Sequence, residues 1–136
     1  MDKKPILCVD WDGCIHGYQS GWKGAAVIPD PPVPGALRWL LDASRLFTIA
    51  VYSSRSKEPA AIDAMRRWLH DHAYRELSAK DAFELLNIVT FAREKPPAFL
   101  TIDDRCVVFE GDWSKLDPET LLRFKPWNQK PISVTR

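Results

Sequence analysis

Ile6-Leu7-Cys8-Val9-Asp10-Trp11-Asp12-Gly13 is the stretch that decides the fold. Ile6 to Val9 are apolar without alternation, the pattern of a central parallel strand covered on both faces, and the run ends in two carboxylates with a glycine behind them. A buried strand that delivers acids at its carboxyl end puts a polar site where open parallel sheets bind their ligands. Asp10 and Asp12, at i and i+2, share a face in an extended chain, but a turn at Gly13 rotates the second past the first. One carboxylate is then placed to attack while the other supplies a proton.

An Asp-x-Asp-Gly string also opens calcium loops and plain turns. The calcium reading fails, because Cys14, Ile15 and His16 stand where further oxygen ligands are needed. Against a plain turn stands a second apolar run, Ala98-Phe99-Leu100-Thr101-Ile102, which ends in Asp103-Asp104-Arg105. Two strands ending in paired acids point to one shared cation site. Between them Phe47-Thr48-Ile49-Ala50-Val51-Tyr52 ends in Ser53-Ser54-Arg55, and a hydroxyl at that tip suits a phosphate oxygen.

In the order of these motifs, nearly the whole chain resembles the haloacid dehalogenase-like phosphohydrolases. The resemblance implies an α/β, Rossmann-like three-layer sandwich with a mainly parallel central sheet. It implies a magnesium-dependent phosphatase that works through an aspartyl phosphate: Asp10 the nucleophile, Asp12 the general acid and base, Ser53 a phosphate ligand, and Asp103 and Asp104 completing a metal site with Asp10 and Asp12. The physical logic is independent of the name. A phosphate dianion repels a carboxylate nucleophile, so a divalent ion and fixed donors must neutralise it before Asp10 approaches. Magnesium suits carboxylate, carbonyl and water ligands, and a covalent intermediate splits one difficult displacement into two easier ones.

The family's lysine maps to Lys95 of Lys95-Pro96-Pro97, with Lys80 as the rival. Lys95 stands only eight residues before Asp103, about 26 Å of extended chain. The preceding strand is therefore expected near Asn87 to Phe91, with a return that has no helix, an unusual crossover. Ser54, Arg55, Trp22 and Lys23 are candidate substrate contacts, as is His16. Arg55 and Arg105 suit either a phosphate clamp or a salt bridge to a site acid.

At 136 residues, 46% hydrophobic and with six Trp, the chain has material for one catalytic domain, 1–136. Relatives often carry a cap domain; here there is room only for a flap at about 14–28, read as a hairpin around Gly17, Gly21 and Gly24. An open site of this kind fits a large substrate or closure by homo-oligomerisation. Pro29, Pro31, Pro32 and Pro34 lead into a helix of about ten residues from Gly35. Ile62, Met65 and Leu69 set an amphipathic helix over 58–72, Cys106 to Phe109 reads as an edge strand, and Asp117-Pro118-Glu119 opens a short last helix. The tail beyond Lys125 reads as irregular.

A net charge of +1 with scattered basic residues gives no electrostatic footprint for nucleic acid. The Ser53-Ser54-Arg55 and Asp103-Asp104-Arg105 strings are nonetheless similar to the phosphatase domains of polynucleotide kinases, which keeps nucleic-acid ends open as substrates. A catalytically inactive binding protein on the same fold is the other alternative, although a scaffold needs neither Asp10 nor Asp12. No signal-peptide core or spanning segment is apparent, and the three cysteines suit reduced thiols, so the expectation is a cytoplasmic protein. Cys14 stands beside the nucleophile where relatives often carry Thr, and is read as a packed, inert thiol.

Overall fold

The computed structural model describes residues 3–128. Four short strands, β1 (Ile6–Val9), β2 (Thr48–Val51), β3 (Val89–Phe91) and β4 (Leu100–Ile102), form one sheet in the order β3-β2-β1-β4, and every neighbouring pair is parallel. Helices α1 (Ala36–Ala43), α2 (Pro59–Glu76) and α3 (Ala79–Ile88) separate the first three strands, and α4 (Pro118–Leu122) follows the sheet. The chain is thus an α/β protein with a Rossmann-like parallel sheet. None of the helices among the described residues is long and apolar enough to cross a membrane.

Strand alternation assigns the two faces of the sheet. Leu7, Val9, Ile49, Val51 and Val89 join one apolar cluster with Leu37 and Leu40 of α1, Met65, Trp68 and Leu69 of α2, and Leu85 of α3, whereas buried Cys8 and Ala50 stand outside it. All three helices therefore serve one face. This follows from handedness: β1, β2 and β3 step in one direction through right-handed crossovers, which keeps their helices on one side. The return from β3 to β4 runs the other way and has no helix, as the eight-residue spacing predicts. It passes over the small-residue face, where the Lys95 charge is felt by the Cys8 thiol. The third layer expected of a sandwich is not seen among the described residues.

Several elements differ from their expected form. The segment 14–28 is not a hairpin. It is a loop closed at its base, where Gly17 N–H donates to Pro31 O at 2.8 Å and Val33 N–H to Ile15 O at 2.8 Å. Proline at 29, 31, 32 and 34 removes the donors that a longer ladder needs. Cys106 to Phe109 is irregular and exposed rather than an edge strand. An Asx turn, in which Arg105 N–H donates to Asp103 Oδ1 at 2.9 Å, bends the chain straight after β4. Helix α3 was not anticipated, and α2 runs on to Glu76 rather than stopping near His72. The first and last helices come as expected, α1 after Gly35 in a left-handed conformation (φ 84°) and α4 capped by Asp117. Residues 126–128 are irregular; the rest of the tail lies outside the described residues.

Candidate active site

The order β3-β2-β1-β4 reverses direction between β1 and β4, so the carboxyl ends of these two strands are the crevice where an open α/β sheet takes a ligand. Val9 pairs in register with both Val51 and Ile102, so Asp10 leaves the sheet between the tips of β2 and β4. Its backbone N–H still donates to Ile102 O at 2.9 Å. Immediately afterwards the chain folds into a tight turn in which Trp11 O accepts the N–H groups of Ile15 and His16, each at 2.9 Å. Trp11 anchors that turn: it is fully buried, with its ring 4.8 Å from Trp68 in an edge-on arrangement. The variable position of the Asp-x-Asp string is therefore a core residue here.

Asp10, Asp104 and Cys14 meet in a group whose ligand atoms, two carboxylate oxygens and Cys14 Sγ, lie within 4.8 Å of one another. Gly13, at φ +82°, makes this possible, since a Cβ at that position would collide with the Asp104 carboxylate. Burial, with the charges of Asp103, Asp104 and Asp12, pushes the Asp10 carboxyl up from its ordinary 3.8 to about 8. Asp104 is raised too, by burial and by Asp103. Burial and the same acids push the Cys14 thiol up to about 12, so it is held protonated and the hard ligands of the group are the carboxylates. Among the described residues Asp104 Oδ1 is buried without a hydrogen-bond partner. A crowded acid group whose carboxyls are pushed up despite the donors around them, with an orphaned oxygen in it, fits a hard divalent cation such as magnesium.

Asp12 lies in the opposite environment. Arg55 Nε donates to its Oδ1 at 3.2 Å and its Oδ2 at 3.0 Å, and His16 Nδ1 lies 2.9 Å from Oδ1. Arg55 is fully buried, and its Nη1 donates to the carbonyls of Gly24, Ala25 and Val27 at 2.8, 2.7 and 3.2 Å. Of the two roles open to Arg55, the structure shows the salt bridge to a site acid; it fastens the 24–27 loop to Asp12. Trp22 is half exposed and lies over this guanidinium, 4.6 Å from ring centroid to Arg55 Cζ. His16, expected to face substrate, is fully buried.

Ser53 is buried at the β2 tip, where its Oγ accepts the Arg55 N–H at 2.9 Å and caps the 3-10 turn 54–57. Its own hydroxyl proton remains a donor. Ser54 and Lys23 are exposed. Lys95 is exposed on the return to β4, and Lys80 is exposed in the first turn of α3 beside Asp81, which binds Arg38 of α1. Neither lysine is among the main influences on Asp10.

Sequence reasoning missed the contribution of the chain's far end. Trp127 Nε1 donates to Gly13 O at 2.8 Å and Asn128 Nδ2 to Gly17 O at 2.6 Å. Trp127 also helps wall a cleft of about 600 Å³, together with Ile15, Val33, Trp39 and Ile102, and Asp103 and Asp104 lie at its acid end. No local signal in Lys125-Pro126-Trp127 announces a contact more than a hundred residues away. Searches with the chain against family models, curated proteins and solved structures gave no match.

Proposed function

We propose that the protein is a magnesium-dependent phosphomonoester hydrolase of the haloacid dehalogenase-like type. The observation that carries this reading is the contrast at one strand tip: a carboxylate, Asp10, that has no cation among its main influences within the described residues, two residues before a carboxylate held by donors of its own, Asp12. A structural ion pair does not need the first, and a simple metal site does not need the second.

Asp10 and Asp104, with Asp103 beside them and the Asp12 backbone carbonyl, would hold the ion. When bound, magnesium supplies the positive charge that ionises Asp10 and draws the substrate phosphate against it. Asp10 attacks phosphorus and the ester bond breaks. Asp12 gives its proton to the departing oxygen, then takes one from the water that hydrolyses the aspartyl phosphate. The Ser53 hydroxyl donates to a phosphate oxygen. The apolar cleft beside Asp103 and Asp104 gives room for the rest of the substrate. Lys95 is retained as the candidate cation for the phosphoryl group; it requires the return segment to swing its ammonium from the sheet face to the tip.

Purified protein with magnesium, assayed against aryl, sugar and nucleotide phosphates and phosphate-ended oligonucleotides, is expected to release phosphate. Asp10→Asn should abolish the release, by several orders of magnitude, because it removes the pathway rather than one hydrogen bond. Full activity in that variant, or undiminished turnover in excess chelator, rejects the proposal.

A further inference from the structure

Buried histidines with both ring nitrogens committed are positioned by the fold, and the commitment identifies what they position. His16 has no solvent exposure. Its Nε2 accepts the backbone N–H of Asp30 at 3.0 Å, so the ring carries its proton on Nδ1. That nitrogen is 2.9 Å from Asp12 Oδ1 and donates to it. Asp30 is itself tied down, since its carboxylate accepts the N–H and the hydroxyl of Ser20 at 2.8 and 2.6 Å and its carbonyl accepts Trp68 Nε1–H at 2.9 Å. The His16 ring is further enclosed edge-on by Trp68, at 5.9 Å between centroids, and by Tyr18, also at 5.9 Å. A chain of directed contacts thus runs from the loop around Asp30 through the imidazole to one oxygen of Asp12.

We propose that His16 is the positioning residue for the acid-base carboxylate and selects which of its oxygens works. Among the described residues, Oδ1 receives two donors, His16 Nδ1–H and a share of Arg55 Nε–H, whereas Oδ2 receives only the other share of Arg55. Oδ2 therefore has the free lone pair. In the first half-reaction, with Oδ2 carrying a proton taken from solvent or left by the previous turnover, the Asp10–phosphorus bond forms and the ester P–O bond breaks; its electron pair stays on the leaving oxygen, which takes that proton from Asp12 Oδ2. In the second, water gives a proton to the same Oδ2 as its oxygen bonds to phosphorus and the Asp10–phosphorus bond breaks. Rotation of the carboxylate would place the doubly bonded Oδ1 at the leaving group, and His16 opposes that rotation. The assignment rests on the phosphohydrolase reading above.

The test uses full-length His16→Ala, His16→Asn and His16→Gln with magnesium, on an aryl phosphate whose leaving group needs no proton and an alkyl phosphate whose leaving group does. The Asn side-chain amide stands in for Nδ1–H and restores the donor to Asp12; the Gln amide reaches the Nε2 position and restores only the acceptor for Asp30. His16→Ala and His16→Gln should lose roughly 10- to 100-fold more kcat on the alkyl than on the aryl ester, and His16→Asn should return to within a few fold of wild type on both. Equal losses on the two esters, or rescue by Gln in place of Asn, make His16 a structural staple and overturn the proposal. Nitrogen-15 shifts of the His16 ring in the wild-type protein should show the proton on Nδ1, and a proton on Nε2 overturns it without any assay. If wild-type protein cleaves neither ester, the phosphohydrolase reading fails and takes this assignment with it, whatever the ring shifts show.

Discussion

Asp10 and Asp12 leave the same strand two residues apart and end in opposite surroundings. Asp10 faces acids and a protonated thiol, and its carboxyl is pushed up to about 8. Asp12 is gripped by a fully buried arginine and a fully buried histidine. On the phosphohydrolase reading proposed above, the difference teaches how one tip would host two roles. The carboxylate proposed to bind a cation and attack is left short of positive charge, which the ligand would supply. The carboxylate proposed to move a proton is over-determined, because positional error is costly to proton transfer.

The largest disturbance to this contrast should come from Arg55. Removing one partner of a buried ion pair leaves the other uncompensated, at a cost of about 3–5 kcal/mol, and Arg55→Ala also strips three carbonyls of the 24–27 loop of their donor. Chemical denaturation should show a protein close to unfolded at ambient temperature. Arg55→Lys should recover little, because a point ammonium cannot span Asp12 and the loop together. Near wild-type stability in either variant means that the loop and Asp12 are held by something else.

Gly13→Ala should act on the other half of the contrast. The left-handed backbone alone costs a non-glycine residue about 1–2 kcal/mol, and the new methyl must displace the Asp104 carboxylate. The thermal shift produced by magnesium should shrink in this variant, while the His16–Asp12 contact persists in its ring nitrogen shifts. A magnesium response equal to wild type separates Asp104 from the metal site.

The effect that isolates Asp10 is on pH, and it is small over any single half-unit step. Its folded carboxyl holds a proton more tightly than the unfolded chain, so its contribution to stability is complete below about pH 4 and is lost as pH rises toward 8. In chelator, wild-type stability measured relative to Asp10→Asn should fall across that window, by at most about 1.4 kcal/mol per pH unit. Magnesium, which favours the ionised form, should stabilise wild type more at pH 8 than at pH 6. A flat difference between the two proteins across the window contradicts the crowding of acids around Asp10.

Much of this site is legible in the chain because parallel strands terminate together. Once Ile6–Val9, Thr48–Val51 and Leu100–Ile102 are strands of one sheet, the residues after each of them converge on one edge, and Asp10, Ser53, Asp103 and Asp104 follow. The short spacing from Lys95 to Asp103 likewise foretells a return without a helix. Partners chosen across long loops are another matter. Cys106 to Phe109 has strand-like composition yet no pairing partner among the described residues, and α3 has a capping Ser78 whose signal passes unnoticed beside the stronger pattern of α2.

What the sequence by itself determined is the order of apolar runs and the acids at their tips, and with it a parallel α/β sheet and the identity of the carboxylates, since burial period and strand direction are local properties. Only the tertiary structure decided what each carboxylate experiences. Arg55 reads equally well as a phosphate clamp or as an ion pair, and His16 as a substrate contact, until the fold buries both against Asp12. Gly13 reads as a turn until Asp104 is found against its α-carbon, and Trp127 as tail until it donates to Gly13 O. The physical reason is that hydrogen-bond partners and desolvation are set by which distant segments pack together, and spacing along the chain carries no record of that.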